Sequence, residues 1–224
     1  MDYEALSGQL RGELLTPDRP AYEAARAIWN AMIDRRPAAI ARCRNAADVM
    51  AGVSAAREND LAVAIRAGGH NVAGYAACDA GLVIDLSLMN AVRIDPRLDR
   101  AYVEGGATWG DVDAATTPFG RATPGGLISA TGVAGLTLSG GIGWLRGTHG
   151  LCVDNLLSAD VVTADGRLIR ASESENADLL WALKGGGGNF GVVVAFEFRL
   201  HRRHLNPEEC AAEIRSAPDK SHCD

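Results

Sequence analysis

Two spacings of hydrophobic residues succeed one another along this chain, and the switches between them outline its elements. Met1–Leu15 has weak helical spacing and ends at Thr16-Pro17-Asp18-Arg19-Pro20, a turn that can also start a helix. From Ala21 the apolar positions Ala24, Ala25, Ile28, Trp29 and Met32 recur at three- and four-residue intervals, which predicts an amphipathic helix ending before Arg35-Arg36-Pro37. Ala38–Arg42 suits a short strand, Asn45 is placed to cap a helix carrying Val49, Met50 and Val53, and Leu61–Ile65 reads as the next strand. The chain therefore opens with a small βαβ-like unit.

The pattern then shortens. Gly81–Asp85 predicts a buried strand with Asp85 at its end, and Ala91–Asp95 and Ala101–Glu104 flank the turn Pro96–Arg100 as an antiparallel hairpin. Thr108 is placed to cap a short helix over Trp109–Ala115. A strand within Asp154–Thr163 turns through Ala164-Asp165-Gly166 into Arg167–Arg170. Asn176–Leu183 predicts a short helix, and Val192–Leu200 a long strand with Phe196, Phe198 and Leu200 on one face. After the polar His201–His204, residues 205–224 lack apolar periodicity and read as a loose tail.

At 224 residues, 47% of them hydrophobic, the chain has enough apolar side chains for a sizeable core. A formal charge of −6 without a basic block gives no sign of a nucleic-acid or anionic-membrane surface, and no such partner is expected. No Sec-type leader is legible and no run approaches the eighteen apolar residues of a membrane span, so the default location is cytoplasmic. The five cysteines (43, 78, 152, 210 and 223) show no C-x-x-C spacing, which predicts neither a disulfide framework nor a zinc site.

The 26 glycines change the picture because they cluster, at 66–74, 125–143 and 185–191, between ordered apolar elements. In Ile65–Asn71, I-R-A-G-G-H-N, a strand runs into Gly68-Gly69 with His70 at the exit; such a loop can bring backbone N–H groups against an anion and present the next side chain at close range. A plain turn with a structural histidine is the other reading. Residues 123–150 intersperse glycine with Leu127, Ile128, Val133, Leu136, Leu138, Ile142, Trp144 and Leu145, which describes ordered backbone folded over something flat or narrow. Walker A is absent, and Gly185–Gly188 opens no Rossmann unit. A site built from several loops would suit a long ligand with a pyrophosphate and a planar ring; close-packing glycines in a structural domain are the alternative. Asp85, Asp154 and Asp165 form no hard-cation loop, and Arg146 and His149 are polar loop residues without an assigned role.

Six ordered motifs carry a resemblance. They are Arg66-Ala67-Gly68-Gly69-His70-Asn71; Ile84-Asp85-Leu86-Ser87; Ala122-Thr123-Pro124-Gly125-Gly126; Gly132 through Leu145; Gly150 through Asn155; and Gly186 through Val193. Over roughly Leu14–Leu200 the chain resembles the FAD-binding, PCMH-type domain of the berberine-bridge-enzyme-like and 6-hydroxy-D-nicotine-oxidase-like oxidoreductases, in the vanillyl-alcohol-oxidase superfamily. The resemblance implies an α+β fold, with a small N-terminal α/β subdomain at about 14–73 and a larger mixed or antiparallel sheet with helices at 74–204. By it, Arg66–Asn71 is the pyrophosphate loop and His70 is joined to the isoalloxazine 8α-methyl carbon. It also places Gly74, Thr123, Pro124, Gly125, Gly126, Thr131 and Leu136 at the cofactor. Gly132, Gly135, Gly140, Gly141 and Gly143 would let backbone approach FAD, with Ser139 where relatives commonly carry another glycine. Asn189, Phe190, Gly191 and Val193 would close around its flavin or adenosine part.

Ser129 stands near the cysteine that makes a second flavin link in many plant members, so attachment through His70 alone is expected, with Cys152 a small buried filler. Whole members of the family continue into a substrate domain that supplies the catalytic base, and nothing here matches it: the last tyrosine is Tyr102. No catalytic residue and no metal ligand is assigned. The function implied is an FAD-linked oxidase or dehydrogenase, moving hydride from a small organic substrate to FAD with reoxidation by O₂. The alternative is a truncated, catalytically incompetent FAD-binding fragment.

Overall fold

The computed structural model describes residues 1–202; the expected tail at 205–224 and the last residues of the expected domain lie outside them. The elements in order are α1 (Tyr3–Gln9), β1 (Glu13–Leu15), α2 (Tyr22–Arg26), β2 (Ala39–Arg42), α3 (Ala46–Glu58), β3 (Val63–Arg66), β4 (Leu82–Asp85), β5 (Val92–Asp95) and β6 (Arg100–Glu104). They continue with α4 (Trp109–Thr116), β7 (Arg121–Ala122), α5 (Val133–Leu138), α6 (Arg146–His149), β8 (Leu156–Val162), β9 (Leu168–Ser172), α7 (Ala177–Leu183), β10 (Val192–Arg199) and β11 (His201–Arg202). Among the described residues no helix is long and apolar enough to cross a membrane.

The first sheet has the order β1-β2-β4-β3, with β2 and β3 both parallel to β4 and β1 antiparallel to β2. Apolar side chains leave both of its faces, as a buried parallel sheet requires. Ala39, Ala41, Leu82 and Ile84 meet Val49, Val53 and Ala56 of α3, while Ile40 and Val83 pack with Leu15 and Tyr22 on the other face. Asn45 caps α3 as expected, its side chain accepting from the Asp48 N–H at 3.0 Å. Because β4 lies between β2 and β3, this sheet closes only at Asp85, beyond the division expected near 73.

The second sheet, β5-β6-β10-β8-β9, is antiparallel throughout. Val192 and Val194 of β10 face α3 and the first sheet, whereas Val193, Phe196 and Phe198 face Trp109, Val103 and Ala159 on the other side. A register shift between Val193 and Ala195 changes the alternation phase, so that Phe196 and Val193 share a face. α3 is thus held between the two sheets, and together they fix the ends of β3, β4 and β10. The Thr108 cap is present as a reciprocal capping box with Asp111.

The long helix expected from Ala21 is corrected. α2 stops at Arg26, Ala27 is extended (φ −67°, ψ 136°), and Trp29 and Met32 are left 64% and 91% exposed. Partners distant in sequence outcompete the helical bonds: the Arg66 guanidinium donates to the Ala25 carbonyl, and the Trp29 N–H donates to the Gly69 carbonyl at 3.1 Å. The helical spacing at Met1–Leu15 also resolves differently, because α1 ends at Gln9 and Glu13–Leu15 pairs with β2 as a strand.

Candidate functional site

Where β3 leaves the first sheet, the chain passes directly into Ala67-Gly68-Gly69-His70-Asn71, and this loop forms one wall of a cavity of about 760 Å³. That size lies within the range of cofactor and ligand sites, roughly 300–1,000 Å³. α5, the two residues before it and the one after it form the second wall through Thr131, Gly132, Gly135, Leu136 and Ser139. The third wall is Asn189, Gly191 and Val193 at the start of β10. All thirteen of these residues belong to the set expected at the cofactor.

The walls are joined by backbone. A Cβ added to Gly68 would lie 2.5 Å from the Gly132 nitrogen, and one added to Gly132 would lie 2.5 Å from the Gly68 nitrogen, so the loops meet where neither has a side chain. The second and third walls are tied by the Gly187 N–H, which donates to the Leu138 carbonyl at 2.9 Å. Among the described residues, the N–H groups of Gly68, Gly69, His70, Asn71 and Val72 donate to no protein acceptor. Successive free N–H groups of this kind form an anion-binding concavity.

The other expected residues do not line the cavity, and most of them have a local structural partner. Arg66 turns toward the Ala25 carbonyl. Gly74 is pressed against Ile33, whose Cγ2 would lie 2.8 Å from an added Cβ. Gly125 and Gly126 lie on the Trp109 indole, and Gly143 backs onto the Gly125 carbonyl. Thr123 and Pro124 are buried, and the Thr123 hydroxyl has no partner among the described residues. The Gly140 and Gly141 carbonyls accept from the Val153 and Cys152 N–H groups at 3.0 and 2.9 Å. Phe190 packs on Gly186, its Cε2 2.6 Å from where a Cβ would stand.

Sequence reasoning missed another part of the wall. Arg35, Tyr75, Ala76, Ala77 and Cys78 line it, with Val63–Ile65, Leu86, Ala134, Leu138, Gly187, Gly188 and Val192. Leu86, Ala134, Leu138, Gly187, Gly188 and Val192 stand in the quoted motifs and carry a signal; Arg35 follows the expected helix, and Tyr75–Cys78 lie in no motif.

Thiol chemistry is constrained by burial. Cys152 is fully buried, its sulfur 3.2 Å from the Thr137 hydroxyl, and burial pushes its thiol up to about 12. Burial also raises Cys78, which reaches the cavity edge. Ser129 sits on an exposed loop whose carbonyl accepts from the Gly110 N–H at 2.9 Å. Arg146 hydrogen-bonds the Gly143 carbonyl at 3.2 Å, and His149 stacks on His201 with centroids 3.9 Å apart. Among the described residues, no group of three or more His, Cys, Asp or Glu could hold a metal ion.

Four glycines, Gly8, Gly135, Gly147 and Gly188, lack positive φ and leave room for a Cβ, and two of them line the cavity. Gly135 lies inside α5 and Gly188 precedes Asn189; neither has positive φ, and an added Cβ at either meets no protein atom within 4 Å. Both line the cavity. The wall is therefore kept bare where the protein itself would accept a methyl group, which fits a closely applied cofactor.

Comparison with known proteins agrees with this geometry. The model of the FAD binding domain family matches residues 37–172, more than half of the chain. The (R)-6-hydroxynicotine oxidase of Paenarthrobacter nicotinovorans is 42% identical over 192 residues, covering 86% of this chain and 42% of that protein. The crystal structure of 6-hydroxy-D-nicotine oxidase from Arthrobacter nicotinovorans superposes with a TM-score of 0.85 at 42% identity, over 86% of this chain and 43% of the solved one. Glucooligosaccharide oxidase from Acremonium strictum, whose FAD is described as 6-S-cysteinyl, 8α-N1-histidyl, superposes with a TM-score of 0.85 at 34% identity, over 90% of this chain and 43% of the solved one. The chain thus spans less than half the length of these relatives. On the matched family, the two-sheet fold and the cavity between three glycine loops, the chain belongs to the FAD binding domain family, as a PCMH-type domain resembling that of the berberine-bridge-enzyme-like and 6-hydroxynicotine-oxidase-like FAD-linked oxidoreductases.

Proposed function

We propose that this chain is the FAD-holding part of an FAD-linked oxidoreductase, that it ties the cofactor covalently through His70 alone, and that by itself it does not turn over substrate. The observation that carries this reading is the bare wall at Gly135 and Gly188, in a cavity also lined by His70 and by the Gly68–Asn71 loop, whose N–H groups donate to no acceptor among the described residues. Bound FAD supplies reversible two-electron acceptance, in a complete oxidoreductase from a small organic substrate with return of the electrons to dioxygen.

The chain's residues then divide the work. The Gly68–Val72 N–H groups would hold the diphosphate, with Arg35 the cation on the same wall. His70 would anchor the ring. Gly132, Gly135 and Leu136 would carry one face of the cofactor, and Gly188, Asn189, Gly191 and Val193 the other side of the cavity. Single attachment is supported by Ser129, which cannot form a thioether, and by the full burial of Cys152.

Incompetence of the chain alone is supported by the cavity's chemistry. Its titratable lining is Arg35, His70, Tyr75 and Cys78, with no carboxylate among the described residues to accept a substrate proton. Leu127, Ile128, Ile142 and Trp144 expose apolar surface on the second-wall loops, 79% of Trp144 being open. Substrate orientation, which can lower a barrier by about 7–11 kcal/mol, would need more walls than these.

Acid precipitation tests the reading. Wild-type protein should give a yellow pellet and His70→Ala a colourless one, with FAD still bound before denaturation in the variant. Digestion should place the flavin adduct on the His70 peptide; an adduct on a Cys78 or Cys152 peptide refutes single attachment. Anaerobic addition of alcohols, amines or oligosaccharides should leave the bound flavin oxidised, and rapid bleaching would refute incompetence.

A further inference from the structure

Between Arg26 and Ile33 the backbone leaves the helix that its apolar spacing favours; the Met32 and Ile33 N–H groups bond locally to Asn30, and two other bonds reach the loop carrying His70. The Trp29 N–H donates to the Gly69 carbonyl at 3.1 Å, on one side of His70. The Asn30 side-chain amide donates to the Val72 carbonyl at 2.9 Å, on the other. Ile33 is pressed against Gly74, where an added Cβ would lie 2.8 Å from its Cγ2. Residues 27–33 are thus a strap laid across the loop, fixed before and after the histidine.

The strap also brings an aromatic face to the histidine. The Trp29 and His70 rings stack with centroids 5.7 Å apart and planes 25° from parallel. Trp29 is nevertheless 64% exposed, so most of the indole adds nothing to the core. An indole held mostly in solvent, with one face on a cavity-lining imidazole, has a local task. The χ2 torsion of histidine is broad, so an unsupported ring samples a wide range of planes. A stacked indole removes that freedom and leaves the ring edge, where both nitrogens lie, to approach a partner.

We infer that Trp29 is a positioning residue for covalent attachment of FAD: its indole fixes the plane of the His70 imidazole while the strap fixes the loop on either side. This rests on the reading that His70 is the attachment point. In that step a ring nitrogen of His70 bonds to the 8α-methyl carbon, one methyl hydrogen leaves as a proton, and the imidazole loses its own N–H proton. The two electrons pass to the isoalloxazine, which takes up two protons, and dioxygen then removes both electrons and both protons as hydrogen peroxide. The bond forms only when the nitrogen lone pair points at the carbon, so loss of the fixed plane slows attachment without removing the binding site.

The test uses the full chain, prepared without flavin and mixed with FAD in air. Total bound FAD is measured after desalting, and the covalent fraction by in-gel fluorescence of denatured samples taken over time. Trp29→Ala and Trp29→Leu should bind as much FAD as wild type and attach it about tenfold or more slowly, with Trp29→Phe restoring most of the rate because it returns a flat ring. Attachment in Trp29→Ala within about twofold of wild type overturns the inference, as does a loss of total FAD that parallels the loss of attachment, the mark of a merely structural residue. Trp29→Leu keeps apolar bulk without a plane, so attachment at the wild-type rate in that variant also overturns it. A wild-type chain that binds FAD but never holds it through denaturation would remove the His70 reading itself, an outcome distinct from equal rates in wild type and variant.

Discussion

Gly135→Ala should stabilise the protein and weaken its hold on FAD, two effects that a purely structural glycine would not show together. Gly135 is an internal residue of α5, without positive φ, and an added Cβ meets no protein atom within 4 Å. Glycine inside a helix costs roughly 0.5–1 kcal/mol relative to alanine, and a chain of this size gains about 2–4 °C in melting temperature per kcal/mol. The flavin-free variant should therefore melt about 1–4 °C higher. With FAD in the cavity the methyl group enters space the cofactor needs, and overpacking typically costs about 1–3 kcal/mol, which is about 5- to 150-fold in Kd. The assay is thermal melting of flavin-free protein together with FAD titration, both in the His70→Ala background so that binding stays reversible. Gly132→Ala is the contrasting control: its Cβ would stand 2.5 Å from the Gly68 nitrogen, so stability and binding should fall together. Unchanged FAD affinity in Gly135→Ala would show that the cofactor does not use this wall. A lower melting temperature would show a packing role instead.

Asp48 is fully buried, and its carboxylate accepts from the Arg11 and Gly12 N–H groups at 3.0 Å and the Arg44 N–H at 2.9 Å. Asp48→Ala should therefore cost about 3 kcal/mol or more in denaturant unfolding, and a loss below about 1 kcal/mol would contradict the clamp. Burial, aided by His149 and Arg199 and opposed by Asp99, holds His201 below its ordinary value of 6.5, with the Asn155 amide oxygen 2.6 Å from its Nε2. As pH falls through 6.5 the unfolded chain takes up this proton first, so His201 contributes stability above that pH and loses it toward its lower folded value. Melting temperature should drop between about pH 7 and pH 5, and by less in His201→Phe; equal drops in the two proteins would refute the assignment.

Most strands of the fold are legible because each is marked locally. β4 is a short apolar run, β5 alternates apolar and charged residues, and β8 and β9 meet at an Asp-Gly turn with Gly166 at φ 82°. Two features are not legible, and both depend on partners far along the chain. The apolar spacing at 21–33 describes what that segment would bury as a lone helix, yet it is set by hydrogen bonds to the Gly69 and Val72 carbonyls. The place of β4 between β2 and β3 likewise depends on long-range parallel pairing, which no local pattern marks.

For the site, sequence shows that glycines cluster but not what each one faces. Gly125, Gly141 and Gly143 would collide with Trp109, Cys152 and the Gly125 carbonyl, so the packing of the protein alone accounts for them. Gly68 and Gly132 exclude each other's side chains, which lets two loops touch and makes the cavity narrow. Gly135 and Gly188 collide with nothing and adopt no glycine-only backbone, so their cost in helix and chain entropy is offset by no contact within the described protein. That separation needs coordinates, because all seven look alike in a glycine-rich string. It also explains why the expected cofactor residues divide as they do: those on the cavity either leave space or join its walls, while several of the others brace the loops from behind. A cofactor site of this kind depends on both sets, and variants in the second should weaken FAD binding only as far as they loosen the loops that the first set lines.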